Sequence, residues 1–331
     1  MSSLRVLRRE AGFTQVELAK RAGVSRQLVG AVEAGRHLPR VDAALALAAA
    51  LDVDVRALFS APHGPVDVVS GKAPREGALV RLGRVGNLVV TASTRLGADG
   101  WDVADGSIEH GEVVAFSRRN PGVVVAGCEP GLEVLERLLR ERGMAALSVS
   151  ASSGAAIEAL VAGRVHAAVV HGIEPSAYQV PASLEVARYH LTRWRVGLAG
   201  PPEATHRWWT GALTGRVPVV QRESSAGVQR AFESAVGRGD VDGPRVATHL
   251  EAARRGELGG LPAVTIEPAA LAVGVPFHAL ETHDAELWVA GQWAADRAIV
   301  EALTVIDGPG FRKRLQGVGG YDLAGMGSRL A

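Results

Sequence analysis

The chain has 331 residues, 47% hydrophobic and 21% charged, a balance ordinary for a folded soluble protein of two to three domains. Its formal net charge of +1 hides an asymmetry. Residues 1–40 hold eight Lys or Arg (Arg5, Arg8, Arg9, Lys20, Arg21, Arg26, Arg36, Arg40) against Glu10, Glu17 and Glu33, so a basic head precedes a slightly acidic body and nucleic acid is expected at one end only.

In chain order, the start MSSLRVLRREAGFTQ has no apolar h-region and is not a secretory signal. No run of roughly 18 apolar residues follows, so no membrane span is expected. The single cysteine, Cys128, excludes an intrachain disulfide and fits a reducing cytosol, which makes a cytoplasmic location the expectation. Residues 4–59 read as five short helices: Leu4–Ala11, Gln15–Ala22 capped by Thr14 and stopped by Gly23, a third from Ser25 to Ala34, Val41–Leu51, and Val55–Phe59. SAPHGP (60–65) is a linker of turn formers. ALVRLGRVGNLVVTAST and WDVADGSIEHGEVVAFS, with turn signals at Asp105-Gly106 and His110-Gly111, predict a small β-meander.

From Val123 onward strands alternate with helices. VVVAG precedes PGLEVLERLLRERG, ALSVSAS precedes AAIEALVAG, and HAAVVHGI is a third strand. A second set runs through RVGLAG, VPVVQ, AGVQRAFESAV and FHALETHDAELWVAG, with a closing helix over 294–315. Such alternation predicts parallel sheets covered by helices, with ligands binding beyond the carboxyl ends of the strands. The expected fold class is multi-domain: an all-α five-helix head (1–60), a small β-rich connector (61–122), and an α/β bilobal body (123–331).

The most specific signal is TQVELAKRAGVSRQLVGAVEAGRHLP. Its Leu18, Ala19, Val24, Val29 and Val32 make the seam of two helices, Gly23 supplies the tight turn, and Ser25 caps the second helix. Residues 4–59 resemble the Cro/repressor (XRE) helix-turn-helix family. The resemblance implies a second helix lying in the major groove of double-stranded operator DNA, with Arg26 and Gln27 reading bases. It implies phosphate contacts from Gln15, Ser25 and Arg36, and a homodimer on half-sites about one helical turn apart. Gly30 and Ala31 offer little further base readout.

The body motifs AGCEPGLEVL, SASSGAAIEALVAG, HAAVVHGI, VQRESSAGVQRAF, ATHLEAA, TIEPAALAVGVPFHALE and GGYD resemble the type 2 periplasmic-binding-protein fold, in its molybdate-binding-like branch. The resemblance implies two lobes, a crossover near 195–200 and 286–291, and closure on a small-molecule effector. Three loops at helix starts form the expected anion cradle: Cys128, Ser152 with Ser153, and Ser224 with Ser225 and Gly227, while His171 and His249 line the cleft. Against the family's Gly-Ser-Gly-Thr-Arg loop, Ser225, Ala226, Gly227, Val228 and Gln229 lack two hydroxyls and the arginine. His166 stands where an aspartate is usual, RRGELGGLPAV is short, and Glu129 and Glu223 add negative charge beside two loops. A molybdate-like oxyanion and a polar organic metabolite both stay open as cargo.

The ten histidines show no HxxxH spacing, so neither a metal site nor another cofactor is expected. Cys128 at a helix start is a potential nucleophile or redox sensor. Three readings follow: a ligand-modulated transcriptional regulator, a DNA-binding scaffold whose body only oligomerises or binds a protein, and an enzyme using Cys128.

Overall fold

The computed structural model describes residues 3–33, 37–58, 64–94, 96–97, 100–101, 103–116, 122–201 and 203–330. The chain separates into two compact units. One comprises Met1–Asp67, Lys72–Thr94 and Val103–Asn120, the other Val68–Gly71, Arg95–Asp102 and Pro121–Ala331.

The head folds as Ser3–Glu10, Gln15–Ala22, Arg26–Glu33 and Val41–Leu51, followed by a 3-10 turn at Val55–Leu58. The fifth helix of the sequence reading is therefore a single 3-10 turn, and its expected end at Phe59 lies outside the described residues, as does Ala34. Thr14 Oγ1 accepts from the Glu17 amide at 3.2 Å and Glu17 accepts from the Thr14 amide at 2.6 Å, a reciprocal cap. Gly23 closes that helix at φ 65°, a conformation costly to any residue with a Cβ. Leu4, Leu18, Val29 and Leu47 are fully buried, and each contributes roughly 1.5–3 kcal/mol of apolar transfer.

The β-rich segment forms a five-stranded sheet in which Val66–Asp67, Leu88–Ser93, Leu79–Val85, Gly106–Glu109 and Glu112–Ala115 lie side by side in that order. Its two tight hairpins turn at Gly86-Asn87 and at His110-Gly111, where φ is 54° and 74°.

The body is bilobal. Lobe one holds the parallel strands Ala146–Ser150, Val123–Gly127 and Ala167–Gly172, with helices Gly131–Glu141, Ser153–Val161, Arg297–Asp307 and Pro309–Val318. Lobe two holds Arg245–Val246, Gln221–Arg222 and Ala263–Ile266, with helices His206–Leu213, Gly227–Val236, His249–Gly259 and Glu267–Val273. Two antiparallel strands of 14 residues each, Val186–Ala199 and Phe277–Ala290, run through both lobes. Residues 195–200 and 286–291 are largely strand ends already inside the lobes: Val196–Ala199 pairs with Ala263–Ile266, and residues 285–289 pair with the strand Ala167–Gly172. The crossing runs between them, through Trp194 and Arg195 opposite His283 and Thr282. The closing helix breaks in two at Gly308, because Pro309 has no N–H to continue the ladder. Among the described residues no helix is long and apolar enough to cross a membrane.

Candidate functional site

In the head, the first turn of Arg26–Glu33 faces solvent: Ser25, Arg26 and Gln27 are exposed, and Ser25 Oγ accepts the Leu28 amide at 3.1 Å. Gln15 is held from beneath, its Nε2 donating to Glu33 at 2.9 Å. Glu33 is buried and also accepts from Arg8 Nε at 2.5 Å and Arg8 Nη2 at 3.2 Å, with Arg5 Nε at 3.5 Å. Burial pushes this carboxyl up, but the Arg8 and Gln15 hydrogen bonds and the charges of Arg8 and Arg5 outweigh it, and the net shift is downward. Arg36 lies outside the described residues.

In the body, the strand ends converge where the two long strands cross. Trp194 and His283 are register partners there, 5.7 Å apart by ring centroids, and His171 lies 4.8 Å from Trp194. The lobes meet over this floor. Cys128 Sγ, at the end of a lobe-one strand, is 3.0 Å from His249 Nε2 at the start of a lobe-two helix. Arg222 Nη2 lies 3.4 Å from the same sulfur. Ser225 Oγ donates to Ser152 Oγ at 3.3 Å, and Arg230 Nη2 donates to the Tyr178 hydroxyl at 2.7 Å. Gly227 opens its helix against His171: a Cβ there would sit 3.1 Å from His171 Cε1, so a larger residue would require the imidazole to give by a few tenths of an ångström.

Arg222 is the unusual group. It is fully buried, its Nη2 donates to Ala247 O at 2.6 Å and its Nε to Val246 O at 3.3 Å, while Nη1 has no partner among the described residues. Its nearest carboxylate is Glu223, 3.7 Å away on a side chain 38% exposed. A buried donor left unmade costs about 1–3 kcal/mol, more when charged. His249 Nδ1 is likewise buried without a partner. Beyond His171 and His283 the cleft widens into a cavity of about 380 Å³, whose polar groups are Tyr178, Arg230, Ser234 and Glu281 and whose apolar wall includes Ile173 and Ala231.

Burial sets the protonation of this centre. It lowers His171 and His249 well below the ordinary histidine value, helped by the positive charge of Arg222, and it lowers His283 despite Glu281 Oε1 lying 2.6 Å from His283 Nε2. The thiol of Cys128 is pushed up by burial and pulled partly back by Arg222. Neutral imidazoles and a protonated thiol leave Arg222 as the buried cation beside the sulfur, with Glu223 3.7 Å from it. Among the described residues no group of three or more His, Cys, Asp or Glu could hold a metal ion.

Comparison with known families agrees with this layout. The family model described as helix-turn-helix matches residues 4–58. That of the PBP superfamily domain matches residues 135–307, more than half of the chain. The chain belongs to the PBP superfamily. No curated protein matches it. Among solved structures, the body is similar to an ABC-type phosphate transport receptor from Vibrio cholerae, at 14% identity and TM-score 0.42, over 60% of this chain and 98% of that one. It is similar to a putative phosphate ABC transporter substrate-binding protein from Clostridium perfringens, at 12% identity and TM-score 0.45, over 59% of this chain and 97% of that one. The CcmR regulatory domain of Synechocystis PCC6803 aligns at 11% identity and TM-score 0.39, over 59% of this chain and 96% of that one.

Within the PBP-type cleft, the structure brings Cys128, Ser152, Ser225, Gly227, His171 and His249 into one cluster. Ser153 sits beside them but is spent locally, its Oγ accepting from the His171 amide at 3.1 Å. Ser224 is exposed. Glu129, whose negative charge acts with that of Glu223 to raise the Cys128 thiol, is not itself aimed into the cleft. It turns away, accepting from Gly131 N, Thr192 Oγ1, Trp194 Nε1 and Tyr321 OH, and burial pushes its carboxyl up. His166 is a core residue that accepts the Val124 amide at 3.0 Å. The sequence reading missed Trp194 and His283 and gave Arg222 no place in the site. Gln229, standing at the family's arginine position, points into the fold and accepts the Arg222 amide at 3.0 Å, while Arg222 delivers the guanidinium from the strand before it. The signal for this exchange was local: the only arginines in the motif are Arg222 and Arg230.

Proposed function

We propose that the protein is a DNA-binding transcriptional regulator whose affinity for its operator is set by a small anionic ligand held between the two lobes of its body. The observation that carries the ligand reading is Arg222: a fully buried guanidinium with an unpartnered Nη1, at the meeting point of helix starts from both lobes. A ligand carboxylate or oxyanion satisfies that donor and the macrodipole ends at the starts of the helices Ser153–Val161, Gly227–Val236 and His249–Gly259. The 380 Å³ cavity beyond His171 and His283, with Arg230 and Glu281 on its wall, favours an organic anion over a bare dianion such as molybdate. Arg26 and Gln27 read bases, Ser25 and Gln15 contact phosphates, and the protein acts in the cytoplasm as a homodimer.

Binding selection on random duplexes, followed by gel retardation, tests the head. Thermal shift across organic acids and oxyanions, read on wild type and Arg222→Gln, tests the body. A ligand that raises the melting temperature only when Arg222 is present, and that moves the retardation midpoint, supports the reading. If no anion shifts wild type, the body reverts to a scaffold that oligomerises or binds a protein.

A further inference from the structure

We propose that Cys128 is a covalent modification site for small carboxylates bearing an electrophilic carbon, which enter while the lobes are parted and react as closure brings His249 and Arg222 to the sulfur. This rests on the reading of the interlobe cleft as the ligand site, and it adds a reaction to what was there only binding. The thiol belongs to lobe one, whereas both of its side-chain partners, His249 at 3.0 Å and Arg222 at 3.4 Å, belong to lobe two. Closure therefore assembles the three groups and leaves Cys128 3% exposed, and opening separates them and bares the sulfur.

Each partner has a chemical role. His249 Nε2, 3.0 Å from the sulfur, takes the thiol proton as the S–C bond forms. Arg222 has an unpartnered, fully buried Nη1 on the same guanidinium that reaches the sulfur, placed to hold a carboxylate next to the attacking atom. With an activated double bond the step balances without a co-reactant. The S–C bond forms, the π pair moves to the adjacent carbon, and that carbon takes the proton from His249. With a leaving group, the S–C bond forms as the carbon–leaving-group bond breaks, and the thiol proton stays on His249. In either case the adduct places a permanent carboxylate against Arg222 and holds the lobes closed. A guanidinium nitrogen 3.4 Å from the sulfur, which offsets part of the burial penalty on the thiolate formed as the bond forms, is what distinguishes this thiol from an ordinary buried cysteine.

The chain contains one cysteine, so intact mass reports one site. Full-length protein is treated with iodoacetate or with iodoacetamide, which carry the same leaving group and differ in charge. Glutathione serves as the unguided thiol and Cys128→Ser as the blank. The expected result is an iodoacetate to iodoacetamide rate ratio at least about tenfold above that of glutathione. Arg222→Gln brings the ratio back to that of glutathione while amide labelling persists, and Arg222→Lys keeps part of the preference. Circular dichroism on each variant separates loss of guidance from loss of fold, and the wild-type ratio alone decides the matter if a variant is unfolded. A ratio equal to that of glutathione overturns the proposal. So does a native protein that neither reagent labels over hours although the denatured chain labels fully. Arg222-dependent thermal shifts retained in Cys128→Ser leave the binding reading intact whichever way the labelling falls.

Discussion

Replacing Glu33 by alanine tests the physical link between the basic head and its fold. One carboxylate, in a residue 3% exposed, receives Arg8 twice and Gln15 once, and so ties the first, second and third helices together. Its removal leaves Arg8, whose side chain is 11% exposed, with the Phe13 carbonyl at 2.7 Å as its hydrogen-bond partner among the described residues. Breaking a buried pair from one side costs about 3–5 kcal/mol. A head of this size is stable by only about 3–8 kcal/mol, so Glu33→Ala removes most of that. All six tryptophans lie outside residues 3–58, so tryptophan fluorescence follows the rest of the chain while far-ultraviolet circular dichroism includes the head's helices. The expected outcome is an early loss of part of the helical signal in urea, no matching fluorescence change, and loss of DNA retardation. Glu33→Gln, which keeps an acceptor but not the charge, falls between the two. Because the carboxyl is lowered below 4.5 in the folded head, its contribution is complete above that pH and fades as pH falls through the lower folded value. A Glu33→Ala head that unfolds within about 1 kcal/mol of wild type refutes the argument.

Three further outcomes are expected. Arg26→Ala with Gln27→Ala abolishes sequence-selective retardation and keeps the helical signal, whereas unchanged selectivity removes both residues as base readers. His166 is lowered to about 4, chiefly by burial, so the unfolded chain takes up its proton first; stability is complete above pH 6.5 and falls by about 3 kcal/mol as pH drops to 4. His166→Gln should flatten the fall in melting temperature between pH 6.5 and 5, and an unaltered slope counts against the burial argument. Glu129→Ala strands four donors from the lobe-one helix, the crossing strand and the C-terminal segment, and should cost about 3 kcal/mol in urea denaturation followed by tryptophan fluorescence, with a shift under 1 kcal/mol contradicting its bridging role.

The sequence by itself determined what is local. Thr14 and Glu17 cap a helix three residues apart, Gly23 ends it, and the alternation of apolar strands with amphipathic helices already implies helix-covered sheets whose loops meet at strand ends. The convergence of Cys128, Ser152, Ser225, Gly227, His171 and His249 follows from that topology, since equivalent ends of neighbouring strands face one edge of a sheet. Tertiary structure alone decided which atoms at that edge are available. Ser153 and Glu129 stand in the loops as promisingly as Ser152 and Cys128. One is consumed by the backbone of His171 and the other by Trp194 and Tyr321, 65 and 192 residues away. The choice between Arg222 and Gln229 turns on the register of a two-residue strand against Arg245–Val246. Side chains alternate across a strand, so a one-residue slip would exchange the cleft for the core. Hydrogen bonds over such separations are settled by packing of the whole lobe, and no window of sequence contains them.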